Sequence, residues 1–220
     1  MSKKTAVIVG ATGSIGRELV PLVASSPHYE KVVILHRRPT QFAKLAKVEE
    51  RIIDFTKLAS LPSVGAATVF CCIGTTQKKA GSTEAFQKVD RDIPVALAKW
   101  AATGGAATFV TISSLGADAH SKSVYLRTKG EMEEGVARAA VPSTYFLRPS
   151  LLDGKREEFR LAEEIGNRAL GLINPLMIGP LRRYRSVRTQ TVAAAMLACG
   201  ERGEPGVHII ESEIIQDLGS

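Results

Sequence analysis

Tyr125 and Lys129 stand four residues apart in Tyr125-Leu126-Arg127-Thr128-Lys129. On a helix such a pair shares one face. A free phenol has a pKa of about 10, too high for proton transfer near neutrality. A neighbouring ammonium favours the phenolate. Bringing the value down to about 7 takes about 4 kcal/mol of differential interaction, which a lysine and a positively charged ring could supply together. Ser113 and Ser114 close an apolar run 12 and 11 residues before the tyrosine. A hydroxyl there can hold a carbonyl oxygen while the tyrosine passes it a proton. Either serine could serve, and Ser114 is preferred. A packing tyrosine and a surface lysine would show the same spacing, so the pair needs independent support.

That support is a glycine loop. Gly10-Ala11-Thr12-Gly13-Ser14-Ile15-Gly16 follows the apolar run Thr5–Val9 and opens an amphipathic stretch. Gly10 suits a tight turn, Gly13 a close approach of backbone to a pyrophosphate, and Gly16 close packing of helix on strand. The helix N-terminus then offers N–H groups and partial positive charge to phosphates. The glycine spacing is looser than the usual dinucleotide fingerprint, and a chance glycine-rich turn is the plain alternative. The position between strand and helix favours a dinucleotide. The next strand ends Leu35-His36-Arg37-Arg38-Pro39, with no carboxylate for a ribose 2′-hydroxyl. Two guanidinium groups suit a 2′-phosphate instead, which predicts NADP(H) over NAD. A solvated basic turn is the alternative.

These residues need a scaffold that alternates strand and helix. Strands are predicted at Thr5–Val9, Lys31–Leu35, Arg51–Ile53, Thr68–Ile73, Thr108–Ser113 and Thr144–Leu147. Helices are predicted at Ser14–Ser25, Gln41–Ala46, Ser82–Ala102 with a kink at Pro94, and Ser123–Ala140. The alternation predicts an α/β fold, a doubly wound (Rossmann) mostly parallel sheet with helices on both faces. After Pro149 come a charged helix at Asp153–Leu170, a loop at Gly171–Leu181, a helix at Thr189–Cys199, a strand at Gly206–Glu211 and a last turn at Ile214–Leu218. The expected organisation is an NADP-binding domain at 1–148 and a small, substrate-facing C-terminal extension at 149–220 that shares its core.

Composition narrows the class. The chain has 220 residues, 45% hydrophobic and 23% charged, which excludes general disorder. No apolar run approaches the roughly 18 residues of a membrane span. The apolar stretch after Lys3 and Lys4 is too short for a secretory signal, and three cysteines make no disulfide framework, so a cytoplasmic location is expected. Adjacent Cys71 and Cys72 have no ligand partners at metal spacing, and His28, His36, His120 and His208 are scattered, so no metal is expected. The net charge is +7, yet no block of like charges occurs and aromatic residues are 5%. No nucleic-acid partner is therefore expected. Asp90-Arg91-Asp92 reads as a salt-bridge set along a helix. Positions 155 to 190 hold eight basic residues against four glutamates, by default a solvated face.

The glycine loop, Ser113/Ser114 and Tyr125/Lys129 together resemble an atypical short-chain dehydrogenase/reductase, and in particular its Tat-interacting-protein-like oxidoreductase branch. The resemblance runs nearly end to end, through Ile34–Arg38, Cys71–Thr76, Ala80–Ser82, Val89–Asp92 and Asp217–Gly219. It implies an NADPH-dependent oxidoreductase acting on a small carbonyl or hydroxyl substrate. Thr12, Gly13 and Ser14 would then contact phosphates, Arg37 and Arg38 the 2′-phosphate, and Asp54 and Phe55 the adenine. Ile73 and Gly74 would lie along the cofactor, and Leu152 and Arg160 would close over the nicotinamide end. Tyr125 would donate the proton, Lys129 would anchor the ribose, and Ser114 would orient the carbonyl. The Asn-Ala-Gly string of better-studied members is replaced by Cys72-Ile73-Gly74. The same resemblance carries an alternative, a non-catalytic NADPH-binding regulator acting through a protein partner.

Overall fold

The computed structural model describes residues 4–63, 65, 67–153 and 179–219. Among them, seven strands form one sheet in which every pairing is parallel. In chain order these are β1 (Lys4–Val9), β2 (Tyr29–His36), β3 (Val48–Ile52), β4 (Thr68–Cys71), β5 (Thr108–Ile112), β6 (Ser143–Arg148) and, after the two short strands β7 (Leu152–Asp153) and β8 (Val187–Arg188), β9 (Gly206–Glu211). The sheet order is β3-β2-β1-β4-β5-β6-β9, and β7 pairs with β8 in a separate ribbon. The order reverses direction between β1 and β4. In open α/β sheets ligands bind at such a switch point, beyond the carboxyl ends of the strands.

Both faces of the sheet are buried, which is why its strands read as unbroken apolar runs. Alternate residues divide between two cores. Ala6, Ile8, Val32, Ile34, Phe70, Val110, Ile112 and Leu147 pack beneath helices α1 (Ser14–Ser25) and, near the C-terminus, α6 (Thr189–Arg202). Val7, Val9, Val33, Leu35, Val69, Cys71, Phe109 and Phe146 face α4 (Ile93–Thr103) and α5 (Val124–Ala137). Strand β9 and helix α6 thus complete the main sheet and its first layer, and α7 (Ser212–Leu218) closes the chain.

Two sequence expectations are corrected here. Strand β3 begins at Val48 rather than Arg51. It is an edge strand carrying Glu49, Glu50 and Arg51, so charge hides it from a search for apolar runs. The long helix kinked at Pro94 is instead α3 (Thr83–Gln87), a π-turn at Lys88–Asp92, then α4. A short helix α2 (Gln77–Ala80) precedes it. Proline at 94 has no N–H to give the Asp90 carbonyl four residues back. The turn widens, and Ile93 N–H bonds to the Lys88 carbonyl, five residues back. The helix predicted at Asp153–Leu170 lies outside the described residues apart from Asp153 itself, and of the loop predicted at Gly171–Leu181 only the last residues are described, as the start of a 3-10 turn at Gly179–Tyr184.

Candidate active site

The glycine loop leaves β1 at the switch point and enters α1. Gly10 has φ +86°, and a Cβ there would lie 2.6 Å from the Cys72 carbonyl carbon. A Cβ on Gly16 would lie 2.2 Å from the Gly10 carbonyl oxygen. These glycines let α1 start directly against the ends of β1 and β4. The N-cap is Gly13, which has no side chain to cap the first turn, and no acidic residue stands in that turn. An uncapped helix start with no carboxylate beside it is a cradle for an anion. Thr12 is exposed beside it and Ile15 is buried in the core under α1.

Arg37 and Arg38 are exposed just beyond β2. Their turn is pinned from below. His36 Nδ1–H donates to the Arg38 carbonyl, and Glu50 on β3 accepts from the Thr40 N–H at 3.1 Å and from the Thr40 hydroxyl. Asp54 follows β3 and starts a 3-10 turn, its carboxylate accepting from Thr56 N–H at 2.9 Å and Thr56 Oγ1 at 2.8 Å. Those two bonds hold the Asp54 carboxyl below the usual aspartate range. Phe55 lines a groove with Leu61 and Trp100. Ile73 and Gly74 are half-buried past the end of β4.

Tyr125 lies in the first turn of α5 and Lys129 one turn on. The Tyr125 ring stacks on Phe86 of α3, with centroids 5.9 Å apart and an interplanar angle of 28°. Lys129 is buried, with its Nζ 3.4 Å from the Ile112 carbonyl and 2.9 Å from Asp90 Oδ1. The ammonium therefore meets the end of β5 one residue before Ser113. Both serines are buried. Ser114 Oγ donates to the Leu115 carbonyl at 3.3 Å, whereas Ser113 Oγ has no hydrogen-bond partner among the described residues. The tertiary structure thus brings Lys129 and the serine pair to one strand end. Leu152 sits in β7, paired with Val187. Arg160 lies outside the described residues.

Three contributors escape a sequence reading. Phe86 gives no local signal. Glu50 hides on the charged edge strand. Asp90 is buried under Lys129 rather than lying on a charged helix face, and the proline four residues later was the signal that could have found it. Arg91 and Asp92 do form surface-facing ion pairs, Arg91 with Asp92 at 2.7 Å and with Glu131 at 2.8 Å. Among the described residues no helix is long and apolar enough to cross a membrane, and no group of three or more His, Cys, Asp or Glu is placed to hold a metal ion.

Residues 10–199 match the family described as NAD(P)H-binding. The chain is 32% identical to HTATIP2 of Rattus norvegicus over 224 residues, covering 100% of this chain and 90% of that protein. It is 36% identical over 170 residues to a Candida albicans protein named "Protein FMP52, mitochondrial", covering 73% of this chain and 74% of that one. Among solved structures it is similar to an oxidoreductase of the short chain dehydrogenase/reductase family from Burkholderia thailandensis, with TM-score 0.69 at 16% identity, covering 98% of this chain and 94% of that one. It is also similar to MoeE5 in complex with UDP-glucose and NAD, with TM-score 0.68 at 16% identity, covering 94% of this chain and 75% of that one.

The expected cytoplasmic location does not stand, because fungal relatives from Candida albicans, Debaryomyces hansenii and Emericella nidulans are named mitochondrial. The physical reason is that a short apolar run argues only against a secretory signal; mitochondrial transit peptides are amphipathic and arginine-rich, with no apolar core to detect.

Proposed function

Since the chain belongs to the NAD(P)H-binding family, and within it to the atypical short-chain dehydrogenase/reductases of the Tat-interacting-protein-like branch, we propose that it is an NADPH-dependent oxidoreductase of a small carbonyl or hydroxyl substrate. The observation that carries this reading is the position of the Lys129 ammonium, 3.4 Å from the Ile112 carbonyl at the end of β5, one turn of α5 beyond Tyr125 and beside Ser113-Ser114. A sheet and a helix that merely packed together would have no need of an amine at that point.

The residues fit a dinucleotide. The glycine cradle and the uncapped start of α1 suit its pyrophosphate, with Thr12, Gly13 and Ser14 nearest, and the pinned turn suits a 2′-phosphate held by Arg37 and Arg38. Ile73 and Gly74 would flank it, Asp54 and Phe55 would meet its adenine, and Leu152 would close its nicotinamide end. When bound, the reduced nicotinamide supplies hydride to a carbonyl carbon. Tyr125 gives its hydroxyl proton to the carbonyl oxygen. Ser114 turns its hydroxyl from the Leu115 carbonyl to that same oxygen and orients it. Lys129 holds the ribose side of the site and steadies charge near the phenol.

The test is turnover of wild type and Tyr125→Phe over a panel of aldehydes and ketones with NADPH. Loss of roughly a hundredfold or more is expected for a missing general acid. Turnover that survives the substitution removes Tyr125 from the chemistry. NADPH binding with no turnover of any panel member by wild type would favour the non-catalytic regulator.

A further inference from the structure

From the sequence Asp90, Arg91 and Asp92 form one charged set, but the structure separates them. Arg91 and Asp92 face outward, while Asp90 and Lys129 are 0% and 1% exposed, with Oδ1 and Nζ 2.9 Å apart. The second carboxylate oxygen, Oδ2, accepts the Thr75 N–H at 2.7 Å. Thr75 follows Ile73 and Gly74 in the loop leaving β4, at the switch point of the sheet. One carboxylate therefore joins three segments: the loop after β4, the π-turn and α5.

Stability does not account for this arrangement. Taking two charges out of water is expensive, and well-packed apolar side chains of similar volume often do as well or better. The backbone is also bent to deliver the carboxylate. Pro94 widens the helix into a π-turn at Asp90, and such turns recur at functional sites. Lys129 has three N–H donors. Asp90 and the Ile112 carbonyl engage two of them, which leaves one for a ligand hydroxyl.

We propose that Asp90 is a positioning residue of the cofactor site. It holds the Lys129 ammonium and the Thr75 backbone in one hydrogen-bonded unit, so that the lysine and the loop after β4 meet the nicotinamide ribose in fixed relation. The role rests on NADPH being the ligand, as proposed above, and concerns binding rather than turnover.

The test is titration of NADPH, followed by nicotinamide fluorescence, into wild type, Asp90→Asn, Lys129→Met and the double variant, with melting curves recorded alongside. Asp90→Asn keeps the size and one acceptor oxygen but loses the charge. Each single change should weaken NADPH binding about tenfold, and the double should be little weaker than the worse single, because both act through one unit. Unchanged affinity in a folded Asp90→Asn, or effects that add to about a hundredfold in the double, would overturn the role. A second measurement needs no variant. In the wild-type protein without cofactor, the Thr75 amide should be protected from hydrogen exchange and the Lys129 Nζ resonance should shift on adding NADPH; an unprotected amide or an unmoved resonance overturns the role. Wild type that takes up no NADPH defeats the functional reading itself and this role with it, and is told apart by a flat titration of the unaltered protein.

Discussion

Phe86 of α3 lies under the ring of Tyr125 on α5, the two planes 28° apart and their centroids 5.9 Å apart. Phe86 is wholly buried and Tyr125 only partly, so the inner ring acts as a floor for the outer one. A tyrosine that must present its hydroxyl to a substrate gains orientation from such a floor. Phe86→Leu keeps most of the bulk and loses the ring pair, which is worth about 1 kcal/mol. The melting temperature should fall by about 2–4 °C for a chain of this size. Turnover should fall with little change in KM, because the tyrosine is freed rather than removed. A variant with wild-type kcat would show that Phe86 only fills space.

Coenzyme choice should depend on the turn after β2. In a thermal-shift comparison, NADPH at a hundred times its Kd adds about 2.7 kcal/mol of stability. Arg37→Ala with Arg38→Ala should remove most of that gain and leave the response to NADH unchanged. Equal loss with both coenzymes would place the arginines on a shared phosphate instead of the 2′-phosphate.

Arg148 at the end of β6 donates to Glu133 of α5 from Nε at 2.9 Å and Nη2 at 2.6 Å, and to Glu211 of β9 at 3.3 Å. Hydrogen bonding to Glu133 is the main reason the guanidinium is held above its ordinary range. The network ties the helix that carries Tyr125 to two strands. Arg148→Met leaves the Glu133 carboxylate largely buried without its partner, and denaturation should show a loss of about 3 kcal/mol. Arg148→Met with Glu133→Leu should lose less than the sum of the single changes. Additive losses would mean that the pair is not coupled.

Burial lifts all three thiols. Cys71 and Cys72 are raised above the ordinary value, and Cys199 is pushed up to about 11, each chiefly by desolvation. The thiolate is the reactive form, so at pH 8 the native protein should react slowly with a disulfide reagent, and all three thiols should react after unfolding. The stability effect has a definite sign. A thiol whose folded value lies above its unfolded value of 9.0 favours the folded state fully below pH 9.0, and that contribution declines as pH rises towards about 11. Cys199→Ala should flatten this alkaline decline in unfolding curves measured across the same range; an unaltered slope would assign the decline to other groups.

The parts of the molecule legible in the sequence are those set by neighbours along the chain. The run Thr5–Val9, the glycines 10, 13 and 16 and the amphipathic Ser14–Ser25 declare a strand, a phosphate-type turn and a helix, because each is a local pattern of burial or backbone freedom. The same holds for the helical pairing of Tyr125 with Lys129. Edge strand β3 was displaced because its residues face solvent and carry charge, so no apolar period marks it. Asp90 and Arg91 look alike in a sequence, yet a π-turn of one extra residue sends the first inward to Lys129, 39 positions away, and leaves the second facing Glu131 at the surface. Phe86 meets Tyr125 across a similar gap of 39 positions. Contacts between segments that distant depend on how helices settle on the finished sheet, and no pattern in either segment alone encodes them.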